Sequence, residues 1–161
     1  MTIAVDRQSL LVDVGGDARL GAVERELAKD SLTLGLSRHD HDELGIDEWI
    51  ARGAPGAPSP FADPCDHLIA GLSMRLTNGQ RVDIRPCPRR AVGPDLVALV
   101  FGMSGRLARV ERAWLRVHAM GKVARFAPLP VFNDASPVSD AENALFEAIG
   151  RELERGRANG D

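Results

Sequence analysis

The sequence predicts an α+β domain in which helices pack on one face of a mostly antiparallel sheet. One segment, HLIAGLSMRLTNGQRVDIR at 67–85, alternates apolar and polar residues around an Asn-Gly pair, which is typical of a β-hairpin. Two other segments, near 18–29 and 139–155, have apolar residues at helical spacing. The full order is strand, helix, strand, long loop, hairpin, helix, strand and terminal helix, which favours a layered α+β arrangement.

The first part of the chain is predicted to form a strand, a helix and a second strand. SLLVDV at 9–14 has the composition of a short strand, and the turn at 15–17 follows it. Asp17 is suited to cap a helix over 18–29. The apolar face of that helix would hold Leu20, Val23 and Leu27. LTLGL at 32–36 is predicted to form the second strand.

A polar stretch at 37–47 combines histidines with carboxylates. It contains His39, Asp40, His41, Asp42 and Glu43. An H-x-H pair suggests a metal site, but no third ligand follows at a helical or strand spacing. The pattern therefore favours a solvated surface, and no metal ligand is predicted.

The hairpin is the most sharply defined element. Its inward face is predicted to hold Leu68, Ala70, Leu72, Met74 and Leu76, continued by Val82 and Ile84. Asn78-Gly79 is expected to form a type I′ turn. The opposite face would be wetter and carry Ser73, Arg75, Arg81, Asp83 and Arg85.

Three further elements follow the hairpin. Pro94 suits the first turn of a helix, whose buried stripe would comprise Leu96, Leu99, Val100 and Met103. VERAWLRVH at 110–118 is predicted to be a strand, with Ala113, Leu115 and Val117 inward and Trp114 on the other face. The capping box at 139–142 opens a helix to about residue 155, and the tail beyond it should fray.

Composition excludes several classes of protein. With 44% hydrophobic and 27% charged residues, the chain is typical of soluble globular proteins, and its net charge of −3 gives no general attraction to nucleic acid or anionic membrane. The two cysteines, Cys65 and Cys87, lack the spacing of a zinc site or a disulfide framework. No apolar run is long enough to span a membrane, and the start lacks a signal-peptide pattern. A cytoplasmic location is expected.

Three blocks of the sequence together resemble the FAD-linked oxidases. The blocks are SLLVDVGGDARLGAVERELAKDSLTLGL, ELGIDEWIARGAPGAPSPFADPCDHLIAGLSMRLTNGQ and AVGPDLVALVFGMSGRLARVERAWLRVH. They resemble the second half of the FAD-binding domain of the vanillyl-alcohol oxidase or p-cresol methylhydroxylase (PCMH) type, near the D-lactate/glycolate oxidase and alkyl-dihydroxyacetone-phosphate synthase branches. The match covers roughly residues 8–120 and is one of blocks, without a single decisive motif.

The resemblance implies a division of the chain and a set of cofactor contacts. Residues 1–127 would form a partial PCMH-type FAD-binding domain, and residues 128–161 a terminal helix, the remnant of the start of a cap domain, and a tail. FAD, if bound, would contact the loop at 45–58 and the segment at 102–110. The predicted cofactor residues are Gly45, Ile46, Gly53, Gly56, Gly102, Gly105 and Val110. No catalytic residue is predicted.

The sequence departs from the family pattern where the cofactor would lie. Asp47-Glu48 replaces a Gly-Gly pair, and these carboxylates are expected to crowd the backbone and repel phosphates. Met103, Ser104, Arg106 and Ala108 replace the usual Ser, Glu, Thr and last Gly. The glycine-rich turn that binds the pyrophosphate belongs, in the family, to an earlier subdomain that this chain is expected to lack.

Three functions stay open on this basis. The chain is expected to be half of a split flavoprotein, with a protein partner that supplies the missing FAD subdomain and the catalytic cap. It could instead be a non-enzymatic scaffold that binds protein and no longer binds FAD, or a domain that binds a smaller ligand in the former flavin cleft. Eight arginines between 81 and 116 would favour anionic partners if they shared a face, but pairing with nearby carboxylates or solvation is the favoured interpretation.

Overall fold

The computed structural model describes residues 2–37, 40–57, 68–86 and 96–121, together with five helical positions: Ala144, Glu147, Ala148, Arg151 and Arg155. The main sheet has five antiparallel strands in the order β1-β2-β6-β4-β5. These strands are β1 (Ile3–Asp6), β2 (Leu11–Gly15), β4 (Ile69–Leu76), β5 (Arg81–Ile84) and β6 (Ala108–Arg116). A second sheet pairs β3 (Leu32–Thr33) with β7 (His118–Ala119). The predicted α+β fold with a mostly antiparallel sheet is confirmed.

Helix α1 (Leu20–Ala28) buries the three residues that its periodicity predicted. The predicted cap is wrong, because the residue at the N-cap is Arg19 and its side chain makes no capping bond. Backbone carbonyl groups take over that role. The N–H groups of Leu20 and Gly21 donate to the carbonyl oxygens of Leu44 and Asp42, each at 2.9 Å. The segment before α2 (Ile46–Ala51) therefore satisfies the first turn of α1.

Strand β1 was not predicted, although it pairs with β2 along its whole length. The turn between them is held by Asp6, whose Oδ1 accepts the N–H groups of Gln8 and Ser9 at 2.9 and 3.0 Å. The bond from the Ser9 N–H is the main reason that the pKa of Asp6 lies below its ordinary value. IAVD is too short for an alternation to stand out, so only the turn chemistry of Asp6 indicated this hairpin.

The β4–β5 hairpin lies where the sequence places it, but its turn is of another type. Of the residues in the turn, only Gly79 has a positive φ, of 85°, whereas a type I′ turn needs two such residues. The Gly79 N–H donates to the Leu76 carbonyl oxygen at 2.9 Å, and the Leu76 N–H donates to Gln80 at 2.8 Å. This is the three-residue connection in which a glycine in the left-handed region forms a bulge.

Two register shifts change which residues of the sheet face the core. Between Ile69 and Gly71 the pairing with β6 slips, so that Ile69 lies opposite Leu115 and Leu72 opposite Ala113. Ile69 therefore shares the inward face, and the strict alternation predicted through Ala70 is wrong at that point. A second shift, between Ser73 and Met74, leaves Glu111 of β6 without an opposite residue.

Strand β6 confirms the predicted sidedness of its second half. Ala113, Leu115 and Val117 are buried, and Trp114 lies on the opposite face with Arg112 stacked 4.9 Å from its ring centre. The predicted helix after Pro94 is only a 3₁₀ turn at Leu96–Leu99 within the described residues. Its buried residues are Val97 and the following Val100.

Several sequence-based expectations fall outside the described residues. These are the helix start at Pro94, the two cysteines, His39, the capping box at 139–142 and the domain boundary at 127. The described positions between 144 and 155 are helical, as the periodicity there predicts. None of the helices in the described ranges is long and apolar enough to cross a membrane.

The two tryptophans provide a test of this layering, in which Trp49 lies in the core and Trp114 on the outer face of the main sheet. Trp49 is completely buried and its Nε1–H donates to the Pro55 carbonyl oxygen at 3.0 Å, whereas Trp114 is only half-buried on the outer face. Trp49→Phe removes that donor and leaves a void, so we expect a loss of about 2 kcal/mol in the free energy of unfolding. Trp114→Phe should cost less than about 1 kcal/mol. Urea denaturation followed by circular dichroism measures both, and equal losses would contradict the layering.

Candidate functional site

The two predicted cofactor segments, 102–110 and the described part (45–57) of 45–58, are in direct contact. At the carboxyl end of α2, the N–H groups of Gly102 and Ser104 donate to the carbonyl oxygens of Ile50 and Ala51, at 3.1 and 2.9 Å. A Cβ added to Gly102 would lie 3.9 Å from the Cα of Gly53. One segment therefore satisfies carbonyl groups that a helix end leaves unpaired.

Helix α2 lies in what the sequence analysis treated as a loop. Ile46, Trp49 and Ile50 are all fully buried, and their i, i+3, i+4 spacing was the available signal for a helix. The glycines and prolines that follow it are typical of loops, and for that reason the segment was predicted to be a loop. Residues 53–57 then fold back around Trp49, with Ala54 at a φ of 49°. The loop thus encloses an indole ring of its own chain.

Asp47 has a different role from the one expected. Its Oδ1 accepts the Val110 N–H at 2.7 Å, and its Oδ2 accepts Nη1–H of Arg109 at 3.1 Å. The side chain is only 21% exposed. The carboxylate was predicted to crowd a cofactor and repel its phosphates, but its first structural effect is to tie α2 to the start of β6.

A close backbone approach stands next to this carboxylate. The Gly16 N–H donates to the Glu111 carbonyl oxygen at 2.9 Å, and the Asp47 N–H donates to the Gly16 carbonyl oxygen at 2.9 Å. A Cβ on Gly16 would lie 2.0 Å from the Val110 carbonyl oxygen, which is impossible without a shift of the backbone. Only glycine fits between β2 and β6 at this point.

The seven predicted cofactor residues differ in how much of them remains accessible. The buried residues are Ile46, Gly53, Gly56 and Val110; Gly45 and Gly105 are half-buried, and Gly102 is exposed. Four of their N–H groups donate within the chain. The bonds are Ile46 to Ala18, Gly53 and Gly102 to Ile50, and Val110 to Asp47. The Gly56 carbonyl oxygen accepts both the N–H and the Oγ–H of Ser37.

These residues do not fit the pyrophosphate of a flavin dinucleotide. A pyrophosphate needs several N–H groups that converge on it from a glycine-rich turn or a helix start. At the start of α2, the N–H groups of Ile46 and Asp47 already donate to Ala18 and Gly16. The nearby N–H of Val110 is taken by a carboxylate. Within the described residues, these N–H groups therefore bond to acceptors of the chain itself.

The basic side chains near the site are largely paired. Arg109 bonds to Asp47, Arg112 forms a two-bond pair with Asp13, and Arg81 lies 3.3 Å from Asp83. For these three arginines the paired interpretation is confirmed. Arg89 and Arg90 lie outside the described residues.

Metal ligands do not come together in the part of the chain that the structure describes. No group of three or more His, Cys, Asp or Glu side chains there could hold an ion. His41 lies 3.6 Å from the carboxylate of its neighbour Asp40. Its predicted partner His39 falls outside the described residues.

A groove of about 630 Å³ lies on the outer face of the main sheet, away from the predicted site. Trp114 and Arg116 of β6 and Pro86 line it. Its other lining residues come from the β1–β2 hairpin: Ala4, Val5, Asp6, Ser9, Leu11 and Asp13. The sequence places Trp114 on this face and leaves open whether it lines a cleft or an interface or packs under the terminal helix; the structure shows that it lines this groove.

Two kinds of comparison find relatives of this chain, while no protein-family model matches it. An FAD-linked oxidoreductase of uncharacterised function from Escherichia coli K12, YgcU, is 23% identical over 115 residues, which are 71% of this chain and 24% of YgcU. Alkyldihydroxyacetonephosphate synthase of Caenorhabditis elegans is 22% identical over 135 residues, 84% of this chain and 23% of the synthase. A solved structure of alkyldihydroxyacetonephosphate synthase superposes with a TM-score of 0.57 at 19% identity, covering 72% of this chain and 20% of its own.

The resemblance to an FAD-linked oxidase-type domain is confirmed over the portion of the chain that these relatives cover, between 71% and 84% of it. The chain spans about a quarter of the length of the relatives that it matches. The likeness therefore covers one portion of an FAD-linked oxidase-type protein. It establishes a shared fold, while the contacts of Asp47 and Gly16 are read from this chain alone.

The Gly16 contact yields a prediction with a matched control. Gly16→Ala places a methyl group against the backbone of β6, so we expect a loss of about 3 kcal/mol or more in the free energy of unfolding. Gly45→Ala meets its nearest atom, the Gly16 carbonyl oxygen, at 3.3 Å and should cost about 1 kcal/mol or less. Thermal and urea unfolding measure both variants. A Gly16→Ala variant as stable as Gly45→Ala would show that the two backbones are not so close.

Proposed function

We propose that this chain forms the second lobe of an FAD-binding-type domain in a flavin-dependent oxidoreductase assembly, and that another polypeptide segment supplies the pyrophosphate site and the catalytic groups. The chain contributes a rigid sheet and the joined segments 45–57 and 102–110. It does not catalyse a reaction by itself.

The observation that supports this proposal is the direct contact between the two segments that the family resemblance assigns to the cofactor side. Gly102 and Ser104 bond to the end of α2, and Asp47 bonds to the start of β6. YgcU is named as an FAD-linked oxidoreductase, and the other relative is alkyldihydroxyacetonephosphate synthase, a solved structure of which shares the fold of this chain.

The division of labour follows from how the N–H groups are used. The start of α2 and the N–H of Val110 donate within the chain, so the phosphates of FAD must be bound by a different segment. The half-buried Gly45 and Gly105 and the exposed Gly102 remain at the surface of the joined segments. Uncharged parts of the cofactor would lie against these glycines, where no Cβ interferes.

The absorption spectrum of the chain purified alone tests this proposal. We expect none of the visible bands of oxidised flavin, and no quenching of FAD fluorescence when the cofactor is added to the purified chain. Co-expression with the products of adjacent reading frames should then yield a yellow complex that contains this chain and FAD in equal amounts.

Two results would contradict the proposal in different ways. A chain that retains stoichiometric FAD without a second polypeptide refutes the need for a partner. A chain that takes up no flavin either alone or with the neighbouring gene products refutes the role in a flavin assembly. As a control, Trp114→Phe changes a residue on the outer face, away from the joined segments, and should not change how much FAD the complex contains.

A second candidate is a protein-binding scaffold that no longer binds FAD. The bonds from Asp47 to Val110 and Arg109 favour it, because they fill with a carboxylate a position next to the expected cofactor contacts. A stoichiometric protein partner in a complex free of flavin would support this candidate over the first.

A further inference from the structure

The Asp47 carboxylate lies in a niche made by two donors from adjacent residues of β6. The Val110 N–H approaches one oxygen at 2.7 Å and the Arg109 guanidinium approaches the other at 3.1 Å. One donor belongs to a buried backbone and the other to a side chain that is 68% exposed. Two donors for two oxygens of one anion is the arrangement by which proteins bind carboxylates and phosphates.

The Val110 N–H needs an acceptor on the β2 side of β6 because strand β2 ends before it. Strand β2 pairs with β6 only as far as Gly15, opposite Arg112, whereas the pairing of β6 with β4 continues past Val110, which lies opposite Met74. Val110 is therefore outside the β2–β6 ladder although its residue is buried. A buried N–H without an acceptor is costly, so this position requires an acceptor from outside the sheet.

Two glycines lie close to the residues that carry the donors. Gly105 stands beside the Arg109 side chain, where an added Cβ would lie 3.2 Å from its Cζ and Nε atoms. Gly16 stands on the side of the Val110 carbonyl group. The neighbouring acid, Glu111, is itself paired with Arg75 at 2.7 Å and lies 3.6 Å from Arg81, which limits its repulsion of an anion.

We propose that the Val110 N–H and the Arg109 guanidinium form an oxyanion-binding niche, which this chain fills with its own Asp47 carboxylate. Emptied of that side chain, the niche binds a small carboxylate or a phosphate. In the native chain, an external anion must displace a carboxylate that is tethered beside the donors and therefore has a high effective concentration. This inference does not rest on the proposed function, since it concerns only contacts within the chain.

Chemical rescue of Asp47→Ala by acetate tests the niche. The variant keeps the helical residue but removes the carboxylate, so its Tm should fall below that of the native chain. Added sodium acetate should raise the Tm of the variant, and above the dissociation constant the rise should follow the logarithm of the acetate concentration, as binding to the folded state requires. Sodium chloride at equal ionic strength should not, and inorganic phosphate should raise it as acetate does.

Three controls identify the niche as the cause. Glu48→Ala removes the adjacent carboxylate, which pairs with Arg52 on the surface, and its Tm should not respond to acetate. Asp47→Asn fills the niche with a neutral amide and should also show no response. In Asp47→Ala/Arg109→Gln, the acetate concentration needed for a given rise in Tm should increase about tenfold, because one charged donor is lost.

The outcomes decide the question. A logarithmic rise of Tm with acetate concentration that is confined to Asp47→Ala, and weakened by Arg109→Gln, supports the niche. An equal response in Glu48→Ala, or a response to chloride as large as that to acetate, overturns it. If Asp47→Ala is isolated unfolded, its refolding is followed with and without acetate. Recovery of structure only with acetate supports the proposal, and failure in both conditions, together with no acetate response in Asp47→Ser, overturns it.

Discussion

The structure depends on the contact between the turn after β2 and the start of β6, where two backbones approach more closely than any residue but glycine permits. At Gly16 an added methyl group would meet the Val110 carbonyl oxygen at 2.0 Å. The Gly16 N–H donates to the Glu111 carbonyl oxygen of β6, and the Gly16 carbonyl oxygen accepts the Asp47 N–H of α2. Sheet and helix are joined at one point, and the joined segments 45–57 and 102–110 are positioned from it.

This contact also explains why a carboxylate is tolerated beside the expected cofactor contacts. Because β2 ends at Gly15, Val110 has no strand partner on that side, and Asp47 supplies the acceptor. The charge is then balanced by Arg109 from the same stretch of β6. Compared with the family's glycine pair, Asp47 looks unfavourable. In this structure it is stabilising, because its carboxylate accepts hydrogen bonds from the neighbouring strand.

Periodicity predicted the parts of the fold that bury a regular face. The stripe of α1, the inward residues Ala113 and Leu115, and the location of the β4–β5 hairpin all followed from spacing. Features that depend on a distant partner did not follow: the carbonyl groups of Leu44 and Asp42 that cap α1, and the register shifts beside Ala70 and Glu111. Helix α2 was missed because glycine and proline outweighed a short apolar spacing. In the site, both segments were predicted to contact the cofactor, but their direct contact with each other was not predicted. The direction of the Asp47 side chain was not predicted either, since no local pattern records where β2 ends.

Helix α2 has six residues, too few to be stable alone. It is held at its start by Asp47, which bonds to Val110, and at its end by Gly102 and Ser104. The segment 102–110 therefore bonds to both ends of α2, so the helix cannot unfold without breaking its bond to the beginning of β6. Amide hydrogen exchange in α2 and at Val110 should consequently occur through one shared opening event, which makes this short helix part of the same cooperative unit as β6, the central strand of the sheet.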